Sequence, residues 1–290
     1  MKKIMLVTNY NIPEKADVAL TVAKRFISCG GQVSVPDYAR NSKASAEIAA
    51  LDGIEFVSSD KMYESADLVC VIGGDGTILE GARRCAGSGI PILGINKGRL
   101  GYMSEIELSE LELIDEVMKG NFRIEKRSML NVETVVRDRS VYNCLALNDA
   151  VITNGSVSRL IDLEVYTNGN ISGTYRADGI IVCTPTGSTA YSLSAGGPIL
   201  DPALRCICVT PICAHSLAAR TVVYPDDFEI VIKNTCVREP NVFLTVDGKI
   251  NLKIGRYDSV KITRSDKTAG LVRVKPEHFY SDLHKKLNTI

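Results

Sequence analysis

Apolar positions in the first part of the chain fall in short unbroken runs, separated by longer stretches of helical spacing. Ile4 to Val7 reads as a buried strand. Between Ala16 and Ile27, Val18, Val22 and Phe26 recur at helical spacing with Ala19 and Ala23 on the flank, which predicts an amphipathic helix. Gln32 to Val35 predicts a second strand, Ala44 to Leu51 a short helix, and Leu68 to Ile72 a strand that runs into glycines. Thr77 to Cys85 then predicts a helix, Ile90 to Ile95 a strand, and Leu108 to Met118 another helix. Strands alternating with helices predict a parallel sheet with helices on its faces.

The period changes after about Asn121. Phe122 to Val136 and Val141 to Thr153 are rich in β-branched and apolar residues with little helical spacing. Leu160 to Tyr166 and Ile171 to Tyr175 flank Asn168-Gly169, a hairpin signal. Further strands are predicted at Gly179 to Cys183, Ile207 to Val209, Thr221 to Tyr224, Phe228 to Ile232, Val242 to Val246, Val260 to Thr263 and Leu271 to Val274. Glu277 to Leu287 has a short helical character. The expected organisation is an α/β domain over 1–120 and a mainly β domain over 121–276, with 277–290 free to pack back on the first.

Composition narrows the class. A chain of 290 residues is long for one core. Apolar residues at 45% and charged residues at 23% are those of a globular, ordered protein. Lys+Arg and Asp+Glu are both 34, so there is no basic excess to hold a nucleic acid. The apolar run at the N-terminus is too short for a signal peptide, and no stretch reaches the roughly 20 apolar residues that span a bilayer. A cytoplasmic protein with no membrane partner is expected. The nine cysteines contain no CxxC pair, so they read as small buried residues in a reducing compartment, and no protein-held metal is expected.

The sharpest chemical signal is Gly73, Gly74, Asp75, Gly76 and Thr77, directly after a buried strand and directly before a helix. Ligands bind at the carboxyl ends of parallel strands. Glycines let the backbone turn tightly and bring N–H groups to a phosphate, and the helix N-terminus adds partial positive charge. A carboxylate in such a loop makes sense if Asp75 acts on a hydroxyl nucleophile or holds a metal ion beside the phosphates. The same spacing also fits a plain glycine-rich turn with Asp75 as N-cap. The string is neither GxxxxGK(S/T) nor GxGxxG.

A second signal is Asp178-Gly179 followed by Thr184 to Gly197, a dense patch of hydroxyls and glycines after a strand. Tyr191 within it can stack on a base or a nicotinamide ring. The alternative is a long loop capping a short helix. Asn148-Asp149 closes an apolar run and fits either a base and ribose contact or a turn. Asp247-Gly248 is a hairpin signal first and a site second. Asn96 to Gly101 ends another strand of the first domain and can line the same crevice as Asp75.

Together these segments resemble the NAD kinase family. Gly73 to Thr77 matches that family's GGDGT motif, which is shared with diacylglycerol and sphingosine kinases and, more loosely, with phosphofructokinases. Gly94 to Tyr102, Leu147 to Asp149, Tyr175 to Gly179 with Thr184 to Ser194, Pro211 to Leu217 and Thr245 to Gly248 are similar to family segments in the same order. The resemblance implies an N-terminal α/β domain, a β-sandwich-like C-terminal domain, NAD between them, and a homodimer or homotetramer. It implies NAD and ATP as substrates, with Mg²⁺ accompanying ATP. Carried over, Asp75 contacts the 2′-hydroxyl, and Gly73, Gly74, Gly76 and Thr77 form the phosphate loop. Asn148 binds adenine and Asp149 its ribose. Thr189, Ala190 and Tyr191 line the adenine side, and Asp178 and Ser194 hold the nicotinamide end. Arg176 and Asp247 complete the implied NAD-binding set. Where the family has Glu, this chain has Asp149, one methylene shorter. Two rival readings are a lipid kinase sharing the GGDGT loop, which would want an apolar or membrane-facing surface, and a non-catalytic NAD(P)-binding regulator, which would have no use for Asp75.

Overall fold

The computed structural model describes residues 2–42, 45–59, 61–64, 66–97, 101–155, 159–237, 241–276 and 279–287. Ala44, Gly98 to Leu100 and Glu277, all named above, lie outside them. The chain divides into two compact units, Met1–Lys126 with Ala269–Ile290, and Arg127–Thr268.

The first unit opens with β1 (Lys3–Val7), α1 (Pro13–Ser28), β2 (Gln32–Pro36), α2 (Ser45–Ala49) and β3 (Ile54–Val57). It continues with β4 (Leu68–Ile72), α3 (Asp75–Cys85), β5 (Ile92–Asn96), β6 (Ile106–Glu107) and α4 (Leu113–Lys119). Pro13 starts α1, where a missing N–H costs nothing, and Gly120 ends α4 at φ +87°. All strands pair in parallel, in the order β3-β2-β1-β4-β5, with β6 beside the end of β5. Strands β4 and β5 are buried along their whole length, as a sheet covered on both faces requires. Phe26, Val22 and Ala19 of α1 enter one core with Ile4, Leu6, Cys70, Ile72 and Leu93. The predicted helix over Leu108 to Met118 is instead a 3-10 turn, Leu108–Glu110, followed by α4, because Glu107 and Glu110 form a capping box that sets the first turn apart.

The second unit takes over within β7 (Arg123–Val136) and adds β8 (Arg139–Ala146), β9 (Asp149–Asn154), β10 (Ile161–Thr167), β11 (Asn170–Ala177) and β12 (Gly179–Cys183). A 3-10 turn, Thr186–Thr189, leads into α5 (Tyr191–Ser194). The rest is β13 (Cys206–Ile212), β14 (Val222–Pro225), β15 (Ile230–Asn234), β16 (Val242–Val246), β17 (Ile250–Ile254) and β18 (Ser259–Arg273). A six-stranded sheet runs β14-β13-β12-β9-β16-β17, every pair antiparallel. The antiparallel series β11-β10-β15-β18 supplies the other layer, and β7 pairs with β8. Val182, Ile152, Leu244, Leu163, Ile232 and Ile262 pack in the shared core. On the opposite face of β12 and β13, Ile181, Cys183, Cys208 and Ile212 pack with Leu200. Strand β12 is thus fully buried, which its unbroken Gly-Ile-Ile-Val-Cys run requires.

The β-rich run from Val141 to Thr153 forms parts of two strands, β8 and β9, broken at Leu147 and Asn148. The two runs at Val260 and Leu271 are one strand, β18, within which the chain returns to the first unit. There Leu271 pairs in parallel with Ile92 of β5, Val272 joins the core, and α6 (Phe279–Leu287) follows. All nine cysteines are free, with Cys70, Cys85, Cys183, Cys208 and Cys236 buried.

Candidate active site

In the first unit the strand order reverses between β1 and β4. A doubly wound sheet opens its ligand crevice at such a point, outside the strand carboxyl ends. The loop Gly73–Thr77 leaves β4 there. Gly73 N–H donates to Ile95 O at 2.9 Å, and a Cβ on Gly73 would stand 2.7 Å from Thr77 Oγ1, so the turn closes only with glycine. Gly74 and Gly76 are exposed, with open space where a side chain would stand. Gly74 is the N-cap of α3, and no side chain caps the helix. Asp75 is therefore not a capping residue. Its carboxylate instead turns onto the segment after β5: Tyr102 N–H donates to Oδ2 at 2.8 Å and Met103 N–H to Oδ1 at 3.1 Å. Thr8, at the end of β1, donates to Ile72 O at 2.8 Å and ties the two strand ends together.

In the second unit three separate segments meet. Asp247 sits in the β16–β17 turn with φ +49°, followed by Gly248 at +67°. Its carboxylate accepts from Leu147 N–H (2.9 Å), Asn148 N–H (2.8 Å) and Asp149 N–H (3.1 Å). These three bonds are what breaks the strand at Leu147. Thr184 returns to the same turn: its N–H donates to Asn148 O at 2.9 Å and its Oγ1 to Leu147 O at 2.6 Å. Gly187 packs so closely that a Cβ would lie 2.1 Å from Asn148 O. Asn148 keeps a half-exposed side chain, whereas Asp149 is only 6% exposed. Burial first, and the Asp247 charge second, push the Asp149 carboxyl up to about 7.

Thr189 and Ala190 are half-buried beside this turn cluster in sequence, Tyr191 is 45% exposed, and Ser194 is exposed. Arg176 and Asp178 are not brought there. They lie at the opposite end of β12 from Thr184, about 20 Å away at the usual strand rise. Asp178 is held by Asn154, whose N–H reaches its carbonyl at 3.0 Å, and Arg176 is exposed. The backbone N–H of His215 donates to Arg176 O at 2.8 Å, and Arg220 donates to Leu217 O and Ala219 O of its own loop. Sequence reasoning missed Arg127, which is 4% exposed and donates to Thr186 Oγ1 at 3.2 Å. Nothing in its local pattern distinguishes it from a surface arginine on a strand.

A Gly-Gly-Asp-Gly turn at the switch point of a parallel sheet, with its carboxylate held ready and its glycine backbone open, defines a phosphoryl-transfer protein. Family models agree: residues 4–122 match the ATP-NAD kinase N-terminal domain and residues 147–274 the ATP-NAD kinase C-terminal domain. The chain is 39% identical over 291 residues to the NAD kinase of Caldanaerobacter subterraneus subsp. tengcongensis, covering 99% of each chain. It is 41% identical over 290 residues to that of Moorella thermoacetica, covering 99% of this chain and 89% of the other. The crystal structure of yeast NADH kinase complexed with NADH superposes with a TM-score of 0.90 at 25% identity, over 99% of this chain and 88% of that one. The chain belongs to the NAD kinase family and is a phosphotransferase that converts NAD to NADP. Among the described residues no helix is long and apolar enough to cross a membrane.

Proposed function

We propose that Asp75 is the carboxylate that orients the adenosine 2′-hydroxyl of NAD and takes its proton as that oxygen attacks the γ-phosphorus of ATP, the bond from that phosphorus to the β,γ-bridging oxygen breaking and ADP leaving with its electrons. A ribose hydroxyl is a poor nucleophile, and a carboxylate within hydrogen-bond reach supplies the missing basicity. The observation that supports this reading is the pair of amides from Tyr102 and Met103, which hold both carboxylate oxygens. Gly74 and Gly76 offer open backbone to the triphosphate, and Gly73 and Thr77 complete the phosphate loop by holding its turn, their own N–H groups bonded to Ile95 O and Gly74 O. Mg²⁺ enters as part of the MgATP substrate, held mainly by phosphate oxygens as is usual for that ion, and offsets their charge.

Asn148 reads the adenine, and Asp149, Thr189, Ala190 and Tyr191 surround the adenosine half. Asp247 acts by holding the Asn148 turn. Ser194, Asp178 and Arg176 serve the nicotinamide half. The enzyme works in the cytoplasm as a homodimer or homotetramer.

The test is an assay with NAD, ATP and Mg²⁺ in which NADP is read through an NADP-specific dehydrogenase. NADP should appear and should vanish with EDTA. NADP formed equally well in EDTA would overturn the MgATP assignment.

A further inference from the structure

Beyond the residues that line the glycine loop, one largely enclosed cation of the first unit has no role so far. Arg273 ends β18 with its side chain 10% exposed. Its Nε donates to Glu125 Oε2 at 2.6 Å. Its Nη1 donates to Glu105 Oε2 at 3.1 Å and to two successive carbonyls, Ser104 O at 3.2 Å and Met103 O at 3.5 Å. Glu105, itself 7% exposed, accepts Val274 N–H and Lys275 N–H, each at 2.7 Å. Its own N–H donates to Gly94 O of β5 at 2.9 Å.

Met103 is thus pinned from both sides. Its N–H is on Asp75 and its C=O is on Arg273. The peptides that hold the Asp75 carboxylate are the ones that the guanidinium holds in turn. A buried ion pair is a poor device for stability alone, because desolvation offsets the attraction. A planar fork that reaches two carbonyls and two carboxylates is a good device for fixing a backbone, and lysine cannot reproduce it.

We infer that Arg273 is a positioning residue for phosphoryl transfer, acting through the Gly101–Glu105 segment to hold Asp75 in line with the 2′-hydroxyl. The inference rests on the reading of Asp75 as the reacting carboxylate. Its signature is a loss in kcat with the KM for NAD preserved, since no substrate contact is removed.

The experiment is a cycle of Arg273→Met, Asp75→Asn and the double variant, with thermal unfolding checked for each. Arg273→Met should lower kcat about 10-fold, within the range that a misplaced catalytic group costs. In the Asp75→Asn background the same change should cost nothing further, because the group being positioned is gone. Arg273→Lys, the milder change, should retain the fold and lose kcat by a smaller factor, and it carries the same cycle if Arg273→Met does not fold. An unchanged kcat in a folded Arg273 variant overturns the inference and leaves Asp75 in place. An equal factor in both backgrounds also overturns it, since that is general damage. A near-normal kcat for Asp75→Asn alone removes the Asp75 reading and this inference with it.

Discussion

A Cβ on Gly101 would stand 2.0 Å from Oδ1 of Asp75. No side chain fits there while the Asp75 carboxylate keeps its two amides. Gly101→Ala should therefore push Asp75 off its position and lower kcat by about 10- to 100-fold, the range for a misplaced catalytic group. Steady-state kinetics and a near-normal unfolding temperature together check this. Wild-type turnover would mean that the carboxylate works from a different position.

Asp75→Asn keeps the shape and the open glycine backbone but removes the basic oxygen. Turnover should fall at least about 100-fold, the lower end for general acid–base work, while NAD binding remains measurable. Isothermal titration alongside the NADP assay separates the two effects. A turnover within a few-fold of wild type would take Asp75 out of the mechanism.

Gly187→Ala tests the second unit. Its Cβ would meet Asn148 O at 2.1 Å, a backbone atom that Thr184 already holds. Displacing Asn148 should raise the KM for NAD by about 10-fold or more, roughly what 1–2 kcal/mol of lost binding gives. Turnover at saturating NAD should change less. Thr184→Val, which removes the bonds to Leu147 O and from Gly187 N–H, should move KM the same way.

The buried Asp149 makes stability depend on pH. Its folded value, about 7, lies above the ordinary 3.8, so the folded chain holds this proton more tightly than the unfolded one. The penalty for ionising it is absent below about pH 4, grows through the interval up to about 7, and is constant above. The shift corresponds to at most about 4 kcal/mol. Urea midpoints should therefore fall between pH 5 and pH 8, and Asp149→Asn should flatten that slope and raise stability at pH 8. Parallel slopes in the two proteins would refute the assignment.

Local signals were legible and long-range ones were not. Leu68 to Ile72 and Gly179 to Cys183 read correctly because a fully buried strand is an unbroken apolar run, and the glycines after Ile72 mark the turn. Strand β3 was not readable, since Ile54–Val57 is only partly buried and its pattern is weak. The break at Leu147 depends on Asp247, a hundred residues further on, whose carboxylate takes the amides a ladder would have used. Gly101 could be named as part of a motif, but its reason, contact with Asp75, exists only in three dimensions. Arg273 carried no signal at all, because its partners at Met103 to Glu105 lie in the connection between β5 and β6, far away in the chain.

The return of β18 to the first unit bears on the order of synthesis. Residues 127–268 form an uninterrupted stretch and can fold as soon as they leave the ribosome. The first unit cannot close when its own first 126 residues emerge, because Leu271 must still pair with Ile92 and Val272 must still enter the core. The half that carries Asp75 is begun first and finished last, so the sheet behind the reactive loop is completed only after translation has passed residue 273.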